Sequence, residues 1–279
     1  MMDNAFESKH DLRKLCRWYF SSAKSWWLAS LWCKTGGIIL SALAVWLSFL
    51  SKPLPTMVLI VTLLAEYFAW RSDKLKGVAE TLLRKLDLRD SFGWGISNAE
   101  ITDILARAPH KLLADIARVE KPEDYFASQE GLEVRRALKN IQESAWWSKH
   151  LTDKMWRYSL AATLTSIASS LIVILLSLNT INDYDVLSGT GRVVTSVLML
   201  ILSLGLIRLT LGYHNFQQKA QRAETRAEEL LKTNCSQIDA IKLYNEYHLD
   251  RAAAPLIPDM AWKCNQERLN ELWENYRRN

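Results

Sequence analysis

The feature that most constrains the fold of this chain is the segregation of its apolar residues. They gather into four blocks, residues 35–50, 54–70, 158–178 and 193–213, and strongly charged stretches separate them. Hydrophobic residues make up 49% of the chain. That share is ordinary for a globular protein, but a globular protein spreads such residues more evenly. Apolar blocks between charged segments are typical of membrane proteins.

We therefore predict an all-α integral membrane protein with four transmembrane helices, arranged as two hairpins. The third and fourth blocks reach the roughly 20 residues needed to cross about 30 Å of hydrocarbon, whereas the first two are short. The first hairpin either spans by extending into residues 28–34 or is re-entrant. The predicted segments are an interfacial amphipathic helix (1–34), hairpin 1 (35–71), a cytoplasmic helical segment (72–157), hairpin 2 (158–213) and a cytoplasmic helical C-terminal region (214–279).

The orientation follows from Lys and Arg residues, which stay on the cytoplasmic side of a membrane. They flank the outer ends of both hairpins and are sparse in the two connecting loops. Both termini and the middle segment are therefore expected in the cytoplasm. Each hairpin is preceded by a basic, Trp-rich helix and followed by a charged helix, which predicts a loose parallel repeat.

The segments outside the blocks are predicted to be helical throughout. Ser97 and Glu100 have the spacing of a capping box at a helix start. One helix is predicted from Gly131 into the third block, and another over SQIDAIKLYNEYHLDR. The tryptophans near the blocks, including Trp146 and Trp147, are interpreted as interfacial anchors, with base stacking as the alternative.

Small and hydroxyl side chains form stripes on three of the blocks, and the stripe of the fourth block comprises Ser196, Ser203 and Thr210. At about 100° per residue they share one helix face. A stripe of this kind either lines water in a pore or is the face on which membrane helices pack, and the sequence leaves both open. The pore-lining candidates are Ser159, Thr163, Ser166, Ser170 and Ser177 in the third block, and Gly37, Ser41 and Ser48 in the first.

Two ionisable residues, Glu66 and Arg208, lie inside the apolar blocks. A charge at such a position is a functional hypothesis by default, because it is costly in hydrocarbon. The alternative is that both side chains snorkel to the nearby cytoplasmic interface. Deeper in the membrane, a Glu66–Arg208 pair would tie the two hairpins together.

Basic residues in the charged segments are candidates for binding an anionic ligand. Arg135, Arg136 and Lys139 cluster on one segment, and Arg251 follows the sequence YNEYHLD. The alternative is a surface that faces solvent or anionic lipid. A net charge of +5 is no more than a positive-inside protein carries, so no sequence-specific nucleic-acid binding is expected.

Motifs of catalysis and metal binding are not found in the sequence. It has no HExxH, Walker loop or GxSxG motif, its histidines are scattered, and its four cysteines form no CxxC pair. Such motifs supply the ligands and nucleophiles of common enzymes. We therefore expect no catalytic residues, no metal site and no cofactor, and we interpret the protein as a non-enzyme.

Three stretches carry a resemblance to a known family. They are RWYFSSAK before the first hairpin, PEDYFAS with ESAWWSKHL before the second, and YHLDRAAAPLIPD near the C-terminus. In this order they resemble the four-helix membrane effectors associated with SMODS nucleotidyltransferases and SLOG proteins in bacterial conflict systems, a group allied to SLATT proteins. The resemblance implies an inner-membrane effector of antiphage defence, controlled by a nucleotide or oligonucleotide signal from a partner nucleotidyltransferase.

The predicted function is therefore a homo-oligomeric membrane pore or ion channel in the bacterial inner membrane. Its partners are expected to be the lipid bilayer, further copies of the chain and the nucleotide signal. A water path is expected between subunits, because a single four-helix bundle packs its own centre. The alternatives are a non-conducting membrane-anchored interaction scaffold and a small-molecule transporter.

Overall fold

The structure, a computed structural model, describes residues 11–46, 54–116, 125–180, 205–233 and 235–278. Across these residues the secondary structure is helical, with no strand. The helices are α1 (Leu12–Trp46), α2 (Leu54–Phe92), α3 (Asn98–Ala106), α4 (His110–Ile116), α5 (Val134–Thr180), α6 (Leu206–Lys232), α7 (Gln237–Ala253), α8 (Asp259–Lys263) and α9 (Gln266–Arg278).

Local signals set several of these helix ends. Gly93 follows α2 with a φ of +72°, a conformation that favours glycine. The predicted capping box at α3 is confirmed, because the Ser97 hydroxyl accepts from the Glu100 amide and the Glu100 carboxylate accepts from the Ser97 amide. The predicted continuous helix into the third block is confirmed as α5, and the predicted helix over SQIDAIKLYNEYHLDR as α7.

The chain divides into two compact units. Unit 1 comprises the described residues of Met1–Ala23, Asp73–Thr152 and Asn215–Asn279. Unit 2 comprises those of Lys24–Ser72 and Asp153–His214. The long helices α1, α2, α5 and α6 each contribute residues to both units.

Unit 1 has a conventional core of large hydrophobic side chains. Leu138 and Ile141 of α5 pack with Phe216 of α6 and with Leu243 and Tyr244 of α7. Small residues on the same faces, such as alanines of α6, let these helices approach closely. The core of unit 1 therefore forms where the apolar faces of α5, α6 and α7 meet.

A second cluster in unit 1 attaches the C-terminal helix. Trp146 of α5 contacts Trp273 of α9, with ring centroids 5.1 Å apart, and Leu151 and Leu269 complete the cluster. Trp146 is 4% exposed, and Trp147 packs against the same cluster. The predicted interfacial role is therefore wrong for Trp146, because its indole lies in a protein core and anchors α9.

Unit 2 buries small and hydroxyl side chains. Its buried residues include Ser30, Ala65, Thr163 and Thr210 and also the large Tyr213, whereas many leucines and isoleucines of its helices are exposed. Within it, the Trp26 and Phe68 rings contact each other. Its interior is therefore lined differently from that of unit 1.

The predicted fold class is correct in being all-α and wrong in its four membrane spans. No helix in the described part of the chain has a stretch long and apolar enough to cross a membrane. Lys34 and Glu66 interrupt the apolar runs of α1 and α2. Residues 181–204, which contain most of the fourth block, lie outside the described residues.

Candidate functional site

A buried group of ionisable side chains lies in unit 1, where α1, α2 and α7 meet. We call it the ionic cluster, and it comprises Arg13, Glu80, Asp87, Asp90, His248 and Arg251. Arg13 Nη2 lies 2.9 Å from Asp87 Oδ1 and 2.5 Å from Asp90 Oδ2. One guanidinium therefore links the first turn of α1 to two carboxylates that are almost one turn apart on α2.

The pKa values of the two carboxylates that Arg13 contacts are shifted in opposite directions. Desolvation raises the pKa of Asp87, and the nearby Arg13 and Arg251 oppose this only in part, so its pKa remains above the ordinary value. Desolvation also raises the pKa of Asp90, but Arg13 and Arg89 outweigh it and the net pKa is lowered. Asp90 therefore stays ionised at neutral pH, whereas Asp87 takes up a proton more easily.

Side chains of α7 reach the same carboxylate from the other side. Arg251 Nη1 lies 4.0 Å from Asp87 Oδ2, and its Nε lies 3.9 Å from Glu80 Oε2. His248 Nε2 lies 3.7 Å from Asp87 Oδ2. Burial lowers the pKa of His248 to about 3, so this imidazole is neutral near pH 7. Asp87 is therefore contacted by α7 as well as by Arg13 of α1.

Further hydrogen bonds extend the ionic cluster into α5. Arg251 Nη1 donates to Ser144 Oγ at 3.4 Å, and the Tyr247 hydroxyl lies 2.9 Å from both Ser144 Oγ and Ser148 Oγ. The Tyr244 hydroxyl donates to the Arg84 carbonyl at 2.8 Å. These bonds fix the position of α7 against α2 and α5.

The chemistry around the ionic cluster favours positioning over catalysis. The Cys16 thiol, which interacts electrostatically with Arg13 and Asp87, belongs to a residue that is 3% exposed. Burial raises the pKa of its thiol to about 12, and a thiol that stays protonated is a poor nucleophile. Paired buried charges of this kind specify how helices meet, because each charge is costly without its partner.

The basic residues predicted to bind a ligand lie in two places. Arg135 and Lys139 both contact Glu130, with Nε 3.4 Å and Nζ 2.6 Å from its Oε1 atom. Arg136 donates to the Glu130 main-chain carbonyl at 3.2 Å. Arg251 instead belongs to the ionic cluster. The structure therefore brings Arg135, Arg136 and Lys139 together and places Arg251 in a separate site.

Glu66 and Arg208, the two ionisable residues inside the apolar blocks, do not pair with each other. Glu66 Oε1 lies 3.1 Å from Lys34 Nζ of α1, and its side chain is largely exposed. Arg208 is exposed on α6. The ion pair of Glu66 therefore joins α1 to α2 within unit 2.

The described pore-lining candidates make contacts typical of helix packing. Ser159 donates to the Trp156 carbonyl at 3.0 Å, and Thr163 donates to the Ser159 carbonyl at 2.7 Å. Thr163 is buried with Thr210 Oγ1 3.4 Å away, and Gly37 lies against Val61. The side chains of Ser41, Ser166, Ser170 and Ser177, and the whole of Ser48, lie outside the described residues.

The sequence analysis missed the ionic cluster apart from Arg251, although a local signal was present. Leu82, Leu83 and Leu86 are buried at helical spacing on α2, and Asp87 follows Leu83 by four residues on the same face. An acid on an apolar face requires a buried partner. That pattern predicts a buried cation near Asp87 but does not identify Arg13, which is far away in sequence.

Comparison with known proteins adds no relative. No family model matches the chain, and neither a curated protein nor a solved structure matches it. The family resemblance drawn from the sequence therefore stays a prediction. What the structure defines is a class: an all-helical protein with one conventionally packed unit and one unit whose apolar side chains face outward.

Proposed function

We propose that this protein is a homo-oligomeric effector that acts on the bacterial inner membrane and makes it permeable to ions. Unit 2 contacts lipid, and unit 1 receives a nucleotide signal that controls the effect. The nucleotide signal comes from the family resemblance, and the lipid contact comes from the surface of unit 2. The proposal includes contact between the surface of unit 2 and lipid. It includes no helix that crosses the membrane.

The observation that carries the proposal is the exposed apolar surface of unit 2. Large hydrophobic side chains stand outward on α1, α2, α5 and α6. A water-soluble protein rarely leaves so many of them in contact with water, since each buried leucine contributes about 1.5–3 kcal/mol. The strongly exposed ones include Ile39, Leu59, Ile60, Leu63, Leu164, Leu171, Ile172, Leu175 and Leu211.

Exposed aromatic residues accompany this surface. Tyr67 and Trp70 continue the exposed face of α2 on which Leu59 and Leu63 lie, and Trp32 of α1 is 73% exposed. Tryptophan and tyrosine rings prefer the boundary between lipid and water, where the ring is buried and the polar atom stays hydrated. The combination supports a lipid surface as the partner of unit 2.

Paired substitutions in the two units test the proposal. Leu63 in unit 2 and Leu249 in unit 1 are 62% and 64% exposed. Leu59→Gln with Leu63→Gln should weaken vesicle binding by about tenfold or more, because two apolar side chains lose their contact with lipid. Flotation with phosphatidylcholine–phosphatidylglycerol vesicles measures binding, and release of a trapped ion indicator measures permeability.

Leu249→Gln with Ile238→Gln is the matched control, since both residues are strongly exposed on α7 of unit 1. This pair should float and release the indicator like the wild type. Equal losses in both variants, or no vesicle binding by the wild type, would count against a lipid-directed role for unit 2.

A second candidate function is the non-conducting membrane-anchored scaffold. The burial of Thr163 against Thr210 favours it, because that hydroxyl serves helix packing within one chain and does not face a water path. The scaffold predicts vesicle binding without release of the ion indicator. The same experiment therefore separates the two candidates.

A further inference from the structure

Three basic side chains near the start of α5 converge on a single acidic residue. Glu130 Oε1 accepts from Lys139 Nζ at 2.6 Å and from Arg135 Nε at 3.4 Å. The Glu130 main-chain carbonyl accepts from Arg136 Nη1 at 3.2 Å. The proximity of Lys139 lowers the pKa of Glu130, so this carboxylate is ionised. We call Arg135, Arg136 and Lys139 the basic trio.

The basic trio has more donors than Glu130 can satisfy. Arg135 and Lys139 share one carboxylate oxygen. The Nε atom of Arg136 is buried and has no hydrogen-bond partner among the described residues. Buried guanidinium N–H groups normally find an acceptor, because leaving one unpaired is costly. A ligand with several acceptor oxygens fits the basic trio better than one carboxylate does.

Glu130 also belongs to a segment that covers the ionic cluster. We call residues 125–133 the strap. At one end, the Tyr125 ring lies 3.9 Å from the Arg13 guanidinium carbon. In the middle, the Ala127 amide donates to Glu143 Oε2 at 3.0 Å. The strap therefore connects the basic trio to Arg13, which pairs with Asp87 and Asp90.

We propose that the basic trio binds a phosphate group of an anionic ligand in exchange for Glu130, and that this exchange releases the strap from Arg13. This inference deepens the proposed function and rests on it for the regulatory role of the ligand. A phosphate group carries more charge and more acceptor oxygens than a carboxylate, so it can satisfy the three cations together. Glu130 acts as an internal competitor that holds the unliganded state.

Removing the charge of the competitor should strengthen anion binding. Glu130→Gln keeps the shape of the side chain and loses its charge. We expect inorganic pyrophosphate to bind this variant about tenfold more tightly than wild type, because the ligand no longer displaces charge-assisted bonds. Titration calorimetry on the 279-residue chain measures the affinity.

Glu133→Gln is the matched control. Glu133 is exposed and lies three residues away, so the substitution changes the net charge equally without touching the basic trio. We expect its affinity for pyrophosphate to rise by less than about threefold, as a general electrostatic effect allows. Equal changes in the two variants, or no binding by either, would overturn the proposal.

Release of the strap has its own readout in hydrogen exchange. The Ala127 amide should exchange faster with pyrophosphate bound than without it, and Glu130→Gln should show part of this increase before ligand is added. Lys139→Gln should weaken binding and suppress the change. Pyrophosphate binding with unaltered exchange across residues 125–133 would refute the coupling to Arg13.

The phosphate could be part of a free nucleotide or of a lipid headgroup. Vesicles of phosphatidylcholine with and without phosphatidic acid distinguish these sources from soluble pyrophosphate, using the same exchange readout. A response to phosphatidic acid vesicles alone would assign the site to lipid. Pyrophosphate binding and strap release without any ion release would leave this site standing and reject the proposed membrane function.

Discussion

Units 1 and 2 share the same four long helices, yet they arrange their side chains in opposite ways. Along α2, Leu82 and Leu86 lie inside unit 1, whereas Leu59 and Leu63 stand outside unit 2. Among the described residues, α2 buries Ala65 and Ser72 in unit 2. One helix therefore changes, within six turns, from burying leucines to exposing them.

The difference shows which interactions hold each unit together. In unit 1, the removal of large apolar side chains from water stabilises the fold. In unit 2, small residues allow close contact between helix backbones, and hydroxyls bond to their own helices, as in helices that pack in an apolar surrounding. On the proposed function, the exposed apolar side chains of unit 2 contact lipid.

The largest expected effect comes from the charged side chains of unit 1. Arg13→Leu removes the nearest cation from Asp87, whose side chain is 3% exposed. We expect the free energy of unfolding to fall by about 3–5 kcal/mol at neutral pH, since a buried charge loses its partner. Urea unfolding measures it. The loss should shrink at acidic pH, because Asp87 can then take up a proton.

The corresponding ion pair in unit 2 should matter much less. Glu66→Gln removes the carboxylate that pairs with Lys34, and the Glu66 side chain is mostly in contact with solvent. A loss of at most about 1 kcal/mol is expected. If Glu66→Gln were as damaging as Arg13→Leu, the contrast between a buried and an exposed pair would fail.

A second test replaces leucine by alanine at two positions of α2, one in each unit. Leu82→Ala creates a cavity in unit 1, because Leu82 is 0% exposed, and should cost about 2–5 kcal/mol. Leu63→Ala in unit 2 should change the free energy of unfolding by less than about 0.5 kcal/mol. Urea unfolding in vesicle-free buffer measures both.

Adding vesicles sharpens that comparison. Lipid should protect the wild type against unfolding of unit 2 more than it protects Leu63→Ala, while Leu82→Ala should keep the full lipid effect. A large loss in the free energy of unfolding for Leu63→Ala in buffer would mean that the Leu63 side chain is buried. The two units would then not differ in the way proposed.

Local features of this fold could be predicted from the sequence. The capping box at Ser97, the continuous helix α5 and the helix α7 follow from residues that are near one another in the chain. The four apolar blocks were also visible, but hydrophobicity alone assigned them to membrane spans. It could not show that Glu66 would pair with Lys34, or that Trp146 would enter a protein core.

The ionic cluster was harder to predict from the sequence, because its members come from three distant segments. Arg13, Asp87 and Arg251 meet only when α1, α2 and α7 assemble, and no spacing in the sequence encodes that meeting. Glu130 was overlooked for another reason. The sequence predicts the basic trio either as a ligand site or as a surface facing solvent or anionic lipid, whereas the structure shows that Glu130, just before α5, already pairs with it. Charge clusters need their counter-charges identified before a ligand is assigned.

A small effect on stability is expected at Thr163, where a pore and a packed interface make different demands. Thr163 and Thr210 each donate their single hydroxyl proton to a carbonyl on their own helix, at 2.7 and 2.8 Å. Neither proton is left for the other hydroxyl, so their 3.4 Å contact is one of packing. Thr163→Val preserves the shape and should cost only about 0.6 kcal/mol in urea unfolding.

Ion release from vesicles by the same variant decides what the hydroxyl does. If Thr163 is a packing residue, Thr163→Val should release ions like the wild type, whereas Thr163→Leu should lose about 1–3 kcal/mol of stability through overpacking. If Thr163→Val stays folded but abolishes ion release, the hydroxyl faces a water path in the oligomer, since a hydroxyl keeps water in a constriction that a methyl group would dry. The small and hydroxyl side chains inside unit 2 would then line part of the conduction path.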